Sequence, residues 1–227
     1  MMKRTAGTLD ARGLLLGSLL CLGAFVLVLA VVLLQGLDGT DAFVRGLVHP
    51  AGPTALRPWM ERASFWGGEP GQLAITLGAS CVLWRARRRW SVALPAIMAG
   101  AGLLQLVAKW AVGRPRPNLD PWGFPSAHVL SLVVLLGFIA YLFATSQVRR
   151  GFRLTAVGAC MAMVFTVAFS RMYLDAHWFS DVLGGFSMGL GYLFGALWLI
   201  QPPVLAFAET VASPASDELV VESSAAA

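Results

Sequence analysis

The sequence predicts an all-α, polytopic membrane protein, with six transmembrane helices and a short interfacial helical segment between the first two. Three observations carry this expectation. Hydrophobic residues make up 57% of the 227-residue chain and charged residues 13%, with a mean hydropathy of +0.71, whereas soluble domains run at about 25% charged. The apolar residues gather into segments near the roughly 20 residues that cross a bilayer. The basic residues gather in the short connections between alternate segments. Six spans use most of the chain, so a single membrane domain over 1–227 is expected, without a separate soluble one.

The first span is expected at 13–35. Met1-Met2-Lys3-Arg4 followed by apolar Leu14–Leu34 resembles a secretory leader, but the apolar run exceeds the usual length of about 7–15 residues and no small-x-small cleavage site follows. It reads as an uncleaved span behind a cytoplasmic N-terminus, 1–12. Residues 36–68 mix Asp38, Asp41, Arg45, Arg57, Glu61 and Arg62 with Phe43, Leu47, Trp59, Phe65 and Trp66, a pattern suited to short amphipathic helices at the membrane surface. The remaining spans are expected at 69–84 (short, rich in Gly and Ala), 91–109, 127–146, 154–171 and 180–200. The acidic, Ser/Ala-rich tail over 209–227 is expected to be disordered and cytoplasmic.

Ten of the seventeen Lys and Arg residues lie at Lys3, Arg4, Arg12, Arg85, Arg87, Arg88, Arg89, Arg149, Arg150 and Arg153. Three of these precede the first span and seven lie in the even-to-odd connections, all on the side that the positive-inside rule assigns to the cytoplasm. The net charge of +5 and pI near 9.6 therefore reflect topology, and no nucleic-acid partner is expected. Cys21, Cys81 and Cys160 each sit inside an apolar run at spacings that match no metal motif.

Three polar stretches border these spans: Lys109 to Arg116-Pro117, Pro125-Ser126-Ala127-His128, and Ser170-Arg171 with His177 and Asp181. The first follows span three, the second opens span four, and the third joins spans five and six. All three therefore fall on the extracytoplasmic face. A cation at mid-membrane costs about 2.5–3.5 kcal/mol on insertion scales, so cations at the ends of apolar segments call for an offsetting role.

His177 and Asp181 are four residues apart, which on a helix places them on one face. The carboxylate can accept from one imidazole nitrogen and leave the other as a lone-pair base or nucleophile. The bland alternative is an interfacial His beside an acid at a helix start. Ser126 is a good N-cap, and the free amides behind it suit an anion; an ordinary capped helix fits as well. Pro115 and Pro117 make 114–117 a rigid, non-helical loop, able to present a guanidinium fork to phosphate. Lys109, Arg116 and Arg171 could otherwise be snorkelling anchors. Taken together, three cations, a helix N-terminus and two histidines, one with a carboxylate partner, fit phosphoryl transfer through a phosphohistidine. Asp120 and Asp175 form no carboxylate cluster for a divalent metal, so neither metal nor other cofactor is expected. His49 reads as an interfacial loop residue.

On these motifs the chain resembles the type 2 phosphatidic acid phosphatase superfamily of integral membrane lipid phosphatases. Its pattern is Lys-x6-Arg-Pro, Pro-Ser-Gly-His and Ser-Arg-x5-His-x3-Asp. Alanine at 127 stands where glycine is usual, keeping the amide but adding a methyl near the phosphate. The resemblance implies His177 as nucleophile oriented by Asp181, and His128 as general acid and then base. It implies Lys109, Arg116, Ser126, Arg171 and the Ala127 amide as phosphate ligands. The expected substrate is a membrane lipid phosphate: undecaprenyl pyrophosphate, phosphatidylglycerol phosphate, phosphatidic acid or lipid A phosphate. The expected location is a bacterial inner (plasma) membrane, with the site on its periplasmic or extracellular face. A phosphotransferase passing the phosphoryl group to another alcohol fits the same motifs. A non-catalytic lipid transporter would place polar residues at the midplane of several spans, where these spans are apolar.

Overall fold

The computed structural model describes residues 11–52 and 54–200, so all but the last two residues of the expected cytoplasmic N-terminus 1–12, and the whole of the expected tail 209–227, lie outside the described residues. Within them the chain forms eight helices and no strand: α1 (Ala11–Leu33), α2 (Asp38–Val48), α3 (Arg57–Trp66), α4 (Glu69–Ala86), α5 (Arg88–Val112), α6 (Ala127–Ala144), α7 (Arg150–Tyr173) and α8 (Phe179–Leu199). Five of them, α1, α5, α6, α7 and α8, are long and apolar enough to cross a membrane. The expected second span forms as α4, an 18-residue helix that is not among those five. Its Glu69, Pro70 and Gln72, with Gly, Ala, Ser and Thr further on, dilute its apolar content.

α6 is the centre of the bundle. It is apolar on all sides, as a helix enclosed by others must be, and every residue from Val129 to Leu136 is buried. α8 packs between α1 and α6, α7 lies against α6 and α3, and α4 and α5 form an antiparallel pair. α1 turns Leu16, Leu19, Leu20, Val26 and Leu27 outward, each more than half exposed, as befits a helix solvated by lipid.

Small residues set how closely α8 approaches α6. A Cβ on Gly185 would stand 2.8 Å from the Ser126 carbonyl oxygen, and one on Gly189 2.9 Å from that of Leu130. The backbones therefore touch over the first turns of both helices. The Ser126 amide also donates to the Asp181 carbonyl at 3.0 Å. These contacts fix the start of α6, which carries His128, against the start of α8, which carries Asp181.

The segment between the first two expected spans is helical, as α2 and α3. Phe43 and Leu47 of α2, and Trp59 and Phe65 of α3, face outward. The inward side of α2 is instead acidic, with Asp41 only 1% exposed.

Candidate active site

The three polar stretches converge. Lys109, Arg116, Ala127, His128 and His177 line one cavity of about 290 Å³, whose remaining wall includes Gly67, Glu69, Gln72, Gln105 and Ser131. Ser126, Arg171 and Asp181 lie behind this lining, all buried. Each arrives from a helix end: Lys109 from the last turn of α5, Arg116 from the following loop, Ser126 to His128 from the start of α6, Arg171 from the last turn of α7. Among the described residues no group of three or more His, Cys, Asp and Glu is placed to hold a metal ion.

His177 sits just before α8, which begins at Phe179, so the expectation that it and Asp181 share a helix is corrected. The chain still brings them together: His177 Nδ1 lies 3.2 Å from Asp181 Oδ2. Asp181 is fully buried. It also accepts from the Trp178 amide at 3.0 Å, reaching back over the first turn of α8, and from Arg114 Nη1 at 3.0 Å. The carboxylate is thus held at both oxygens. Nδ1–H donates to it, which leaves His177 Nε2 with its lone pair. Burial pushes the His177 imidazole down to about 4, with Arg171 and Lys109 acting the same way and Asp181 pulling upward. Its neutral form therefore prevails at neutral pH.

Ser126 occupies the N-cap position of α6, but its side chain caps nothing, which corrects the expected cap bond. Its Oγ is buried without a partner, as are Arg116 Nε and Arg171 Nε. Buried polar atoms are normally hydrogen-bonded, and leaving one unsatisfied costs about 1–3 kcal/mol. Of the four buried side-chain atoms without a partner among the described residues, three belong to motif residues, and the fourth is Ser80 Oγ. The Lys109 ammonium donates to the Trp122 carbonyl, and Arg171 Nη1 donates to Ser64 Oγ at 2.5 Å. Both cations are held in place while retaining free donors.

The structure adds groups that the motifs did not reveal. Arg114 was expected only as part of a rigid loop that could face phosphate. Its fork is occupied by carboxylates instead: Nη1 to Asp181, and Nη2 to Asp41 at 2.9 Å. Asp41 in turn accepts from the Ser180 amide at 2.8 Å and the Ser180 hydroxyl at 2.5 Å. An acid from α2 thereby caps α8 in trans, where free amides and the helix dipole favour a negative charge. Its pairing with Ser180 spans 139 residues, so no local spacing could have disclosed it. The one sequence signal is that α2 carries its acids opposite Phe43 and Leu47. Asp120 and Asp175 stay outside the cavity: Asp120 pairs with Asn118, and Asp175 takes a bidentate bond from Arg45 at 2.6 and 2.7 Å. His49 Nδ1 lies 3.0 Å from the Tyr173 carbonyl, away from the cavity lining.

The PAP2 superfamily pattern matches residues 90–204, half of the chain. The chain is 30% identical over 135 residues to phosphatidylglycerophosphatase B of Bacillus subtilis (strain 168), covering 54% of this chain and 63% of that protein. It is 26% identical over 186 residues to lipid phosphate phosphatase delta of Arabidopsis thaliana, covering 63% of this chain and 44% of that one. It thus spans less than two thirds of the length of either curated relative. The crystal structure of a transmembrane PAP2-type phosphatidylglycerolphosphate phosphatase from Bacillus subtilis superposes with a TM-score of 0.74 at 21% identity, covering 82% of this chain and 98% of that one. With its apolar helices and this match over the three motifs, the chain is an integral membrane protein of the PAP2 superfamily.

Proposed function

We propose that this protein is a lipid phosphate phosphatase, metal-independent and working through a phosphohistidine. The observation that carries this reading is the trio of buried, unpartnered donors, Arg116 Nε, Ser126 Oγ and Arg171 Nε, beside a cavity lined by both histidines. A phosphate with several acceptor oxygens is the ligand that such a shell would satisfy.

In the proposed reaction His177 Nε2 attacks phosphorus as the ester P–O bond breaks, and His128 gives its proton to the leaving alkoxide. Lys109, Arg116, Arg171, Ser126 and the Ala127 amide neutralise the equatorial oxygens. His128 then takes a proton from a water that attacks the phosphohistidine, so the P–N bond breaks, inorganic phosphate leaves and His177 is regenerated. Asp181 is not protonated in the cycle; it holds the His177 tautomer and stabilises positive charge on the ring.

We further propose α4 as the sixth span of a single membrane domain. The basic connections then place the site at the headgroup level of the outer face of a bacterial inner membrane. A lipid could keep its tails in the bilayer while its phosphate enters. The names of both curated relatives support a lipid substrate.

The test is phosphate release by the purified protein in detergent, from diacylglycerol phosphates and prenyl pyrophosphate. Activity that survives EDTA and is blocked by vanadate, a mimic of five-coordinate phosphorus, is expected. Loss in EDTA with recovery on Mg²⁺ would contradict the metal-free reaction. Label passing from donor lipid to an added alcohol would make it a transferase.

A further inference from the structure

We propose that Glu69, the first residue of α4, selects the leaving group. It accepts a hydrogen bond from a hydroxyl one carbon beyond the carbon that bears the ester oxygen, and it repels a second phosphate. The preferred substrate is then a phosphomonoester of a hydroxylated, glycerol-type alcohol, and a pyrophosphate is disfavoured. This deepens the phosphatase reading and rests on it.

The argument begins at His128. The turn between α3 and α4 brings two glycines against its ring: a Cβ on Gly67 would stand 3.4 Å from Cδ2, and one on Gly68 3.5 Å from Nε2. The Gly67 position would also meet Val167 at 2.4 Å, so no side chain fits there. Bare backbone therefore backs the Nε2 side of the ring proposed to protonate the leaving oxygen. The departing alcohol must reach that nitrogen, and the next residue along the chain is Glu69.

Glu69 lines the same cavity as Lys109, Arg116 and both histidines. It is exposed, and its carboxylate forms no ion pair or hydrogen bond with any described residue. An acid in the first turn of α4 suits the helix dipole, which accounts for its place in the sequence but not for its place in a cavity built for an anion. Water satisfies this exposed carboxylate until a phosphate enters; its charge then opposes phosphate binding unless the substrate also offers it a donor. A hydroxyl is such a donor.

The neighbouring amides extend the pattern. Gln72 donates its amide N–H to the Gly67 carbonyl at 2.5 Å, which leaves its oxygen as a second acceptor. Gln105 receives the Ser131 hydroxyl on its oxygen at 3.1 Å, which leaves its NH₂ group as a donor. Acceptors and a neutral donor around the leaving group fit a polyol. In a pyrophosphate the leaving group is itself a phosphate and would sit beside Glu69.

The experiment uses the full-length protein in detergent, wild type, Glu69→Gln and Glu69→Ala, with kcat/KM read from phosphate release on two matched pairs. One pair is a 1-acylglycerol 3-phosphate and its 2-deoxy counterpart; the other is a prenyl monophosphate and the corresponding pyrophosphate. Wild type should prefer the hydroxylated member by about tenfold or more, the scale of a hydrogen bond to a charged group. Glu69→Ala should bring that ratio close to unity, with Glu69→Gln between. Both variants should lower the preference for monophosphate over pyrophosphate severalfold, because both remove the charge. Phosphate release with ratios indistinguishable across the three proteins overturns this inference alone. Absence of release from every substrate by wild type overturns the phosphatase reading, and this inference with it.

Discussion

Residues 109–181 carry the cations and both histidines of the cavity, while residues 38–72 carry groups that hold them from outside. Asp41 braces Ser180 and Arg114, Ser64 takes a bond from Arg171, and Gly67 and Gly68 back His128. The first region is a local pattern in which reactive groups stand at fixed short spacings. The hydrogen bonds of the second run between residues 73 to 139 positions apart. The contrast suggests that reacting groups are constrained in kind, because the chemistry needs an imidazole or a guanidinium there. Asp41 and Ser64, which brace by accepting hydrogen bonds, are constrained in position, since another acceptor of the right reach can serve; Gly67 alone among the bracing groups is constrained in kind, because a Cβ there would stand 2.4 Å from Val167.

This division can be broken most sharply at His177, the proposed nucleophile. Replacing His177 with Ala should reduce turnover by about 10⁴-fold or more, with insertion and thermal unfolding close to wild type. Retained activity in that variant would remove His177 from the reaction.

Bracing residues should instead cost stability together with rate. Arg114→Leu leaves Asp41 and Asp181 as buried carboxylates without their cation, a change that destabilises by about 3–5 kcal/mol. A clear drop in melting temperature in detergent, accompanied by reduced kcat, is expected; Asp41→Asn, which keeps an acceptor for the Ser180 amide, should lose less. Wild-type melting in Arg114→Leu would show that the bridge to Asp41 does not support α8.

A pH profile sharpens the same contrast at His177. The proposed reaction needs its neutral ring, so activity should fall as pH drops through its pKa. Burial pushes that value down to about 4 while Asp181 pulls it up. The acid limb of kcat/KM should therefore lie below the ordinary histidine value of about 6.5. Asp181→Asn should move the limb lower still, as turnover also declines. Comparing both proteins on one substrate cancels the ionisation of the phosphate itself. A limb that moves upward in Asp181→Asn would contradict the assigned partner.

The smallest effect belongs to Arg45 and Asp175, a pair between α2 and the α7–α8 turn in which Arg45 is 42% exposed. The Arg45 hydrogen bond holds the Asp175 carboxyl below its usual range, yet exposed pairs are worth only about 0–1 kcal/mol. Arg45→Gln should leave kcat/KM and melting nearly unchanged. A large loss would extend the bracing network to the outer surface.

Much of this was legible in the sequence. The apolar run over 127–146 announced a membrane-length helix, which forms as α6; that Val129 to Leu136 are buried on every side came only with the structure. The His177–Asp181 spacing announced a bonded pair, although the pair straddles the helix start. Ser126 misled in one respect. A serine before a helix ordinarily caps it, and here the hydroxyl remains unbonded beside the cavity. The trans cap from Asp41 was not legible, since it depends on which face α2 turns inward. α4 shows the limit of composition: its Gly, Ala and polar residues build a helix of span length but lower hydropathy than the other five.

The central claim is the covalent intermediate at His177. Acid-quenching the enzyme during turnover of a lipid substrate labelled with radioactive phosphorus would not preserve an acid-labile phosphohistidine, so the quench should be alkaline, followed by digestion and mapping of the labelled peptide. The account predicts label on the peptide containing His177, absent from His177→Ala and formed fast enough to account for turnover. Rapid turnover with no label on any peptide, or label on His128 instead, would contradict it.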